Sequence, residues 1–137
     1  MSRTLLDTNI FVYAIDEDSA FFQRARAIIE STDKTLMTSS KNLAEFLTVV
    51  TKSSAYNLDP RLALEIMQEI MQGVEVLFPN EQSFQVFRSL VHQYQPKGFK
   101  IHDFEIISIA LANDCSEIAT FNESDFKSVK EISLISI

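Results

Sequence analysis

Apolar positions along the chain fall into short compact segments separated by longer stretches with helical spacing. Thr4, Leu5 and Leu6 form one such segment, which passes through Asp7, Thr8 and Asn9 into the apolar run 10–15, so the opening reads as strand, turn and helix. The acidic stretch 16–19 breaks that helix, and a second is predicted over 20–31. Residues 35–38 predict a strand, and Ser39 and Ser40 are candidate caps for a helix reaching about Lys52. Asp59 and Pro60 open the next helix, which ends near Gly73. Residues 74–78 alternate around the single acid Glu75 between Gly73 and Pro79, which predicts a strand there. The spacing of Phe84, Phe87, Leu90 and Val91 predicts a helix over 81–94, and 95–100 reads as a loop. Asp103 is then expected to open a helix to about Asn113, with last strands at 117–120 and 132–135. Strands alternating with helices of ten or more residues imply βαβ crossovers, and hence a three-layer α/β/α sandwich around a mostly parallel sheet of about five strands.

Composition narrows the classes without changing that picture. The 137 residues are 46% hydrophobic and 23% charged, enough for a real core and incompatible with a disordered tail. Only two glycines and three prolines punctuate the chain, with no linker-like stretch, so one domain over 1–137 is expected. A formal net charge of −7 argues against a passive, basic nucleic-acid coat. The lone Cys115 leaves no intramolecular disulfide and no Cys/His zinc set. No apolar run approaches the roughly 20 residues of a membrane helix, and the N-terminus lacks a signal-peptide pattern. A cytoplasmic protein without membrane association is the expectation.

In an open parallel sheet, ligands gather outside the carboxyl ends of the strands, which directs attention to acids placed just after strands. Asp7 is one, though a short acid ahead of an apolar helix also reads as an ordinary N-cap. Asp103 is in line with Ile106, Ile107 and Ala110, so its carboxylate shares the apolar stripe of its helix unless it turns back as a cap. Glu45 lies opposite Leu43, Phe46, Leu47 and Val50, where periodicity alone places a solvated acid.

In order along the chain stand a strand ending in Asp7-Thr8-Asn9, a helix carrying Ala44-Glu45-Phe46, a helix opened by Asp103, and Thr120-Phe121-Asn122 followed by Asp125-Phe126. This ordered set resembles the PIN-domain nucleases, and among them the small bacterial toxins of VapBC-type pairs, over nearly the full chain. The resemblance implies that Asp7, Glu45 and Asp103 converge as catalytic ligands of Mg²⁺ or Mn²⁺, with Asn9, Thr120, Asn122 and Asp125 lining the site. Many relatives carry aspartate where this chain has Asn122, and Asp125 reads either as a partial substitute or as a turn acid before a buried Phe126.

The chemistry behind that implication is elementary. Two carboxylates about 4 Å apart repel by roughly 4 kcal/mol at an effective dielectric near 20, so a converging trio takes up protons or a cation. All-oxygen donors suit Mg²⁺ or Mn²⁺, which acidify a water and neutralise charge on a phosphodiester. The resemblance further implies RNA hydrolysis leaving a 5′-phosphate, a homodimer, and a small antitoxin laid over the cleft. Lys41, Lys97 and Lys100 are candidate RNA contacts, each also readable as an ordinary surface lysine. Phe99 is either a base-stacking face or a loop aromatic folded back on the core, and His102 reads as structural rather than as a general base.

Three other readings stay open. A receiver domain wants an acidic pair near its first strand, and Asp7 has no acidic neighbour. An Asp-x-Asp phosphatase wants an acid where Asn9 stands. A catalytically silent PIN-like binding module is the third, kept open by Asn122.

Overall fold

A computed structural model describes residues 2–135 and 137. The described chain runs β1 (Ser2–Leu6), α1 (Thr8–Ala14), α2 (Phe22–Ile29), β2 (Lys34–Ser39), α3 (Ser40–Thr51), α4 (Pro60–Ile70), β3 (Glu75–Leu77), α5 (Glu81–Tyr94), α6 (Lys100–Ala112), β4 (Glu117–Ala119) and β5 (Ser133–Leu134). A single 3₁₀ turn, Glu123–Asp125, lies between the last two strands. The five strands form one sheet in the order β3-β2-β1-β4-β5, and every neighbouring pair is parallel. The expected α/β/α sandwich is therefore present.

Strand alternation supplies two cores. Leu5 is in register with Met37 and Ile118, and all three face the layer made by Leu90, Phe104 and Ile107 of α5 and α6. Leu6 pairs with Ala119, and with Leu36 these face Ile10, Phe11, Phe46, Val50 and Ala63 of α1, α3 and α4. Because both faces are covered, β1 has no solvent-facing side after Arg3, which is why it reads as an apolar run.

The strand order reverses once. The chain builds outward from β1 to β2 to β3, then crosses back through α5 and α6 to β4 on the other side of β1. Right-handed crossovers put the helices of the two directions on opposite faces, which leaves a crevice at the carboxyl ends of β1 and β4.

Element boundaries differ from expectation at informative places. Helix α1 starts at Thr8 rather than at residue 10, because Asp7 caps it directly. Helix α6 starts at Lys100, not at Asp103, so Asp103 sits in its first turn and Lys100 leaves the loop for the helix. The last turn before it closes at Gly98, whose φ of +62° is a conformation glycine takes without strain, and the helix begins immediately after. No helix among the described residues is long and apolar enough to cross a membrane.

Candidate active site

Asp7 occupies the crevice end of β1. Its backbone N–H donates to the Ala119 carbonyl at 3.0 Å, continuing the sheet one step beyond the strand, and its carboxylate then turns to cap α1. Oδ1 accepts from the Thr8 N–H at 2.8 Å and from Asn42 Nδ2 at 3.3 Å. Oδ2 accepts from the Thr120 hydroxyl at 2.8 Å and from Asn9 Nδ2 at 3.4 Å. The cap reading and the site reading of Asp7 thus coexist in one side chain. Asn9 Nδ2 also donates to Thr120 Oγ1 and its Oδ1 accepts from the Phe121 N–H, so Asn9 and Thr120 fasten the ends of β1 and β4 together.

Two further members of this network, Thr8 and Asn42, escaped the sequence reading. Asn42 is fully buried at the start of α3, where its side chain and that of Ser39 form a reciprocal capping box. Its Nδ2 reaches both Asp7 Oδ1 and Thr8 Oγ1, and the Thr8 hydroxyl donates to Glu45 Oε2 at 3.0 Å. Asn42 precedes Phe46 by one helical turn, so a polar side chain on the apolar stripe of α3 was the available signal.

Glu45 is exposed, as its helical angle predicts, yet it opens onto a cleft of about 860 Å³ rather than onto bulk solvent. The same cleft is lined by Asp103 and Asp125, by Lys41 and Lys100, and by Phe99. Lys41 pairs with Glu105 at 3.0 Å, tying α3 to α6, and Lys100 lies 3.8 Å from Asp125. Lys97 is exposed in the preceding loop and does not line the cleft. Asn122 is exposed too, and its contact with the site is a backbone N–H donated to Thr120 Oγ1 at 3.0 Å. Phe99 does not fold back on the core; it is 91% exposed.

The acids feel one another across the cleft. Burial pushes the Asp7 carboxyl up from 3.8 to about 6 against the opposing bonds from Thr120 and Thr8, with the charges of Glu45 and Asp125 adding to the rise. Asp103 also rises to about 6, first through burial, then through the charges of Asp125 and Asp7, with Lys100 opposing. Four carboxylates from four places in the chain therefore share one field. Among the described residues, no three Asp, Glu, His or Cys side chains stand close enough to grip one ion between them. The donors are carboxylate, hydroxyl and amide oxygens, a set that fits a hard divalent cation held through one or two carboxylates and its own waters.

Comparisons with known proteins bear on this arrangement. The PIN domain family profile matches residues 4–132. No curated protein sequence matches significantly. Among solved structures, the chain is similar to VapBC-1 from nontypeable Haemophilus influenzae, with 21% identity, a TM-score of 0.71, and coverage of 98% of this chain and 97% of that one. It is similar to VapBC2 from Rickettsia felis, solved bound to a DNA fragment from their promoter, at 23% identity and a TM-score of 0.72, covering 97% of each chain. VapC20 of Mycobacterium tuberculosis, a sarcin-ricin-loop-cleaving toxin, is similar at 15% identity and a TM-score of 0.67, covering 92% of this chain and 95% of that one. At these identities the likeness is one of fold.

Proposed function

The chain belongs to the PIN-domain family, and from that premise we propose that it is a divalent-metal-dependent endoribonuclease, the toxin of a VapBC-type toxin-antitoxin pair, acting as one domain over 1–137. The observation that carries the reading is the shared field of Asp7, Glu45, Asp103 and Asp125 at the point where the strand order reverses. Asp7, Glu45 and Asp103 would hold Mg²⁺ or Mn²⁺, with Asp125 contributing the acid that position 122 does not. Bound there, the cation supplies Lewis-acid polarisation of a phosphodiester and acidifies a water beside it.

The chain's own residues do the rest. Thr120 and Asn42 hold the Asp7 carboxylate in one orientation, so that it needs no rearrangement when charge builds on the phosphate. Thr8 fixes one Glu45 oxygen relative to Asp7. Lys41 and Lys100 sit at the cleft as exchangeable cations whose present partners, Glu105 and Asp125, compete with backbone phosphate for them. Lys97 contributes from the adjacent loop. The VapBC names of the similar structures support an antitoxin as partner, and a homodimer is the working state we propose with it.

The test is cleavage of single-stranded RNA by purified protein. Hydrolysis is expected with Mg²⁺ or Mn²⁺ and absent in EDTA, and Asp7→Asn or Asp103→Asn should lower it by roughly a thousandfold or more while circular dichroism stays unchanged. Metal-independent cleavage at full rate by either variant overturns the assignment. A protein that binds cation and cuts no RNA would instead support the silent binding module. Light scattering at twice the 15.6 kDa chain mass is the expected result for the homodimer.

A further inference from the structure

The cleft has a second kind of wall. Interspersed with its acids, it is also lined by Ala44, Pro79, Ile106 and the rings of Phe99 and His102, none of which serves a phosphate or a cation. Phe99 is the most exposed large apolar side chain in the described structure, at 91%. Its position explains this. Gln95 ends α5 in the left-handed region with φ 52°, Gly98 follows with φ 62°, and Phe99 is the residue from which α6 begins. A helical side chain lies back over the preceding turn, and at the cap there is no preceding turn to lie on, so the ring stands in water. The His102 ring lies beside it at 6.5 Å between centroids and 31° between planes.

An exposed phenylalanine alone needs no explanation. This one is held on an ordered turn at the mouth of the acidic cleft, with Lys97 two residues before it and Lys100 one after. A π-face lining a cleft that Lys41 and Lys100 also line is complementary to a nucleotide whose base is free to stack and whose phosphates need a cation. We propose that Phe99 is a stacking platform for an unpaired base of the nucleic acid held in the cleft, a specificity-determining side chain outside the acidic cluster. The inference rests on the nuclease reading and adds to it a residue that grips a base. A paired base presents only its edge to a groove-bound protein, so a duplex gains nothing from the ring. His102 extends the same shelf as a positioning neighbour.

The chain contains no tryptophan, so Phe99→Trp places a unique fluorophore at the site. Titrating that variant with a single-stranded oligoribonucleotide should quench its emission, and the matching duplex should not. In steady-state cleavage, Phe99→Ala should raise KM by roughly 5- to 150-fold with kcat within about twofold of wild type. Phe99→Trp should restore KM, and Phe99→Leu, which keeps apolar area without a π-face, should not. Unchanged melting temperatures are expected for all three, since the ring is 91% exposed and buries almost no area. Wild-type cleavage with no quenching, equal KM for Phe99→Ala, or rescue by Phe99→Leu overturns the platform and leaves the nuclease reading standing. Quenching without any cleavage keeps the platform and overturns the nuclease.

Discussion

The acid buried at the end of β1 and those that line the cleft from α6 and the turn after β4 are held in opposite ways. On the β1 side, Asp7 is buried and accepts from Thr8, Asn9, Asn42 and Thr120, so both carboxylate oxygens are fixed. On the α6 side, none of the hydrogen bonds among the described residues reaches Asp103, and Asp125 has a half-exposed ion pair with Lys100. Both Asp7 and Asp103 arrive at about 6 first through burial, but the rise of Asp7 is opposed by hydrogen bonds from Thr120 and Thr8, whereas that of Asp103 is opposed only by the charge of Lys100. The first acid is a fixed reference and the others are free to adjust. A hard cation between them would take its orientation from the first and its fit from the second.

The comparison breaks most visibly if the fixed acid can be loosened without cost. Asn42→Ala removes a buried side chain that serves Ser39, Thr8 and Asp7 at once, and should destabilise the protein by about 2–4 kcal/mol in urea unfolding. A loss under half a kcal/mol would mean that the network does not fix Asp7.

Next comes the dependence on pH. Both carboxyls are raised from 3.8 to about 6, so the folded state favours their protonated forms. Their contribution to stability is complete below the ordinary value and is lost as pH rises through the raised one. In cation-free buffer the melting temperature should therefore drift down, from these groups, between about pH 4 and 7. The stabilisation conferred by Mn²⁺ should grow over about pH 5 to 7, because the ion takes the deprotonated acids. A cation effect that is flat with pH would separate ion binding from these two residues.

The smallest effect sharpens the adjustable side. Asp125→Asn should weaken Mn²⁺ binding in calorimetry by about tenfold, near the 10- to 100-fold loss seen when groups around a metal are altered, while Asn122→Ala should change it by less than about twofold. Equal losses would assign the fourth position to residue 122 after all.

Much of this was legible because the signals were periodic. The strand-turn-helix opening, the two-faced burial of β1 and the placement of Asp7 and Thr120 at strand ends follow from apolar runs and the rule for parallel sheets. The start of α6 was not legible, because Lys100 closes a Pro- and Gly-containing loop in sequence, and no capping side chain marks the helix start at Phe99. Glu45 shows a different limit. Helical angle separates core from non-core, and it correctly put Glu45 outside; it carries no information on whether the outside is solvent or a cleft. Asn42 was hidden for the converse reason, being a polar residue inside the core-facing stripe whose partners come from 34 and 35 positions away.

The sheet's two borders, β3 and β5, are three and two residues long. So short a row of unpaired backbone groups offers another chain almost nothing to pair with, which guards against fibre-like growth from either margin. Strand pairing is thus a poor route for copies of this protein or a bound peptide to reach it, and the central strand β1 has a strand on each side.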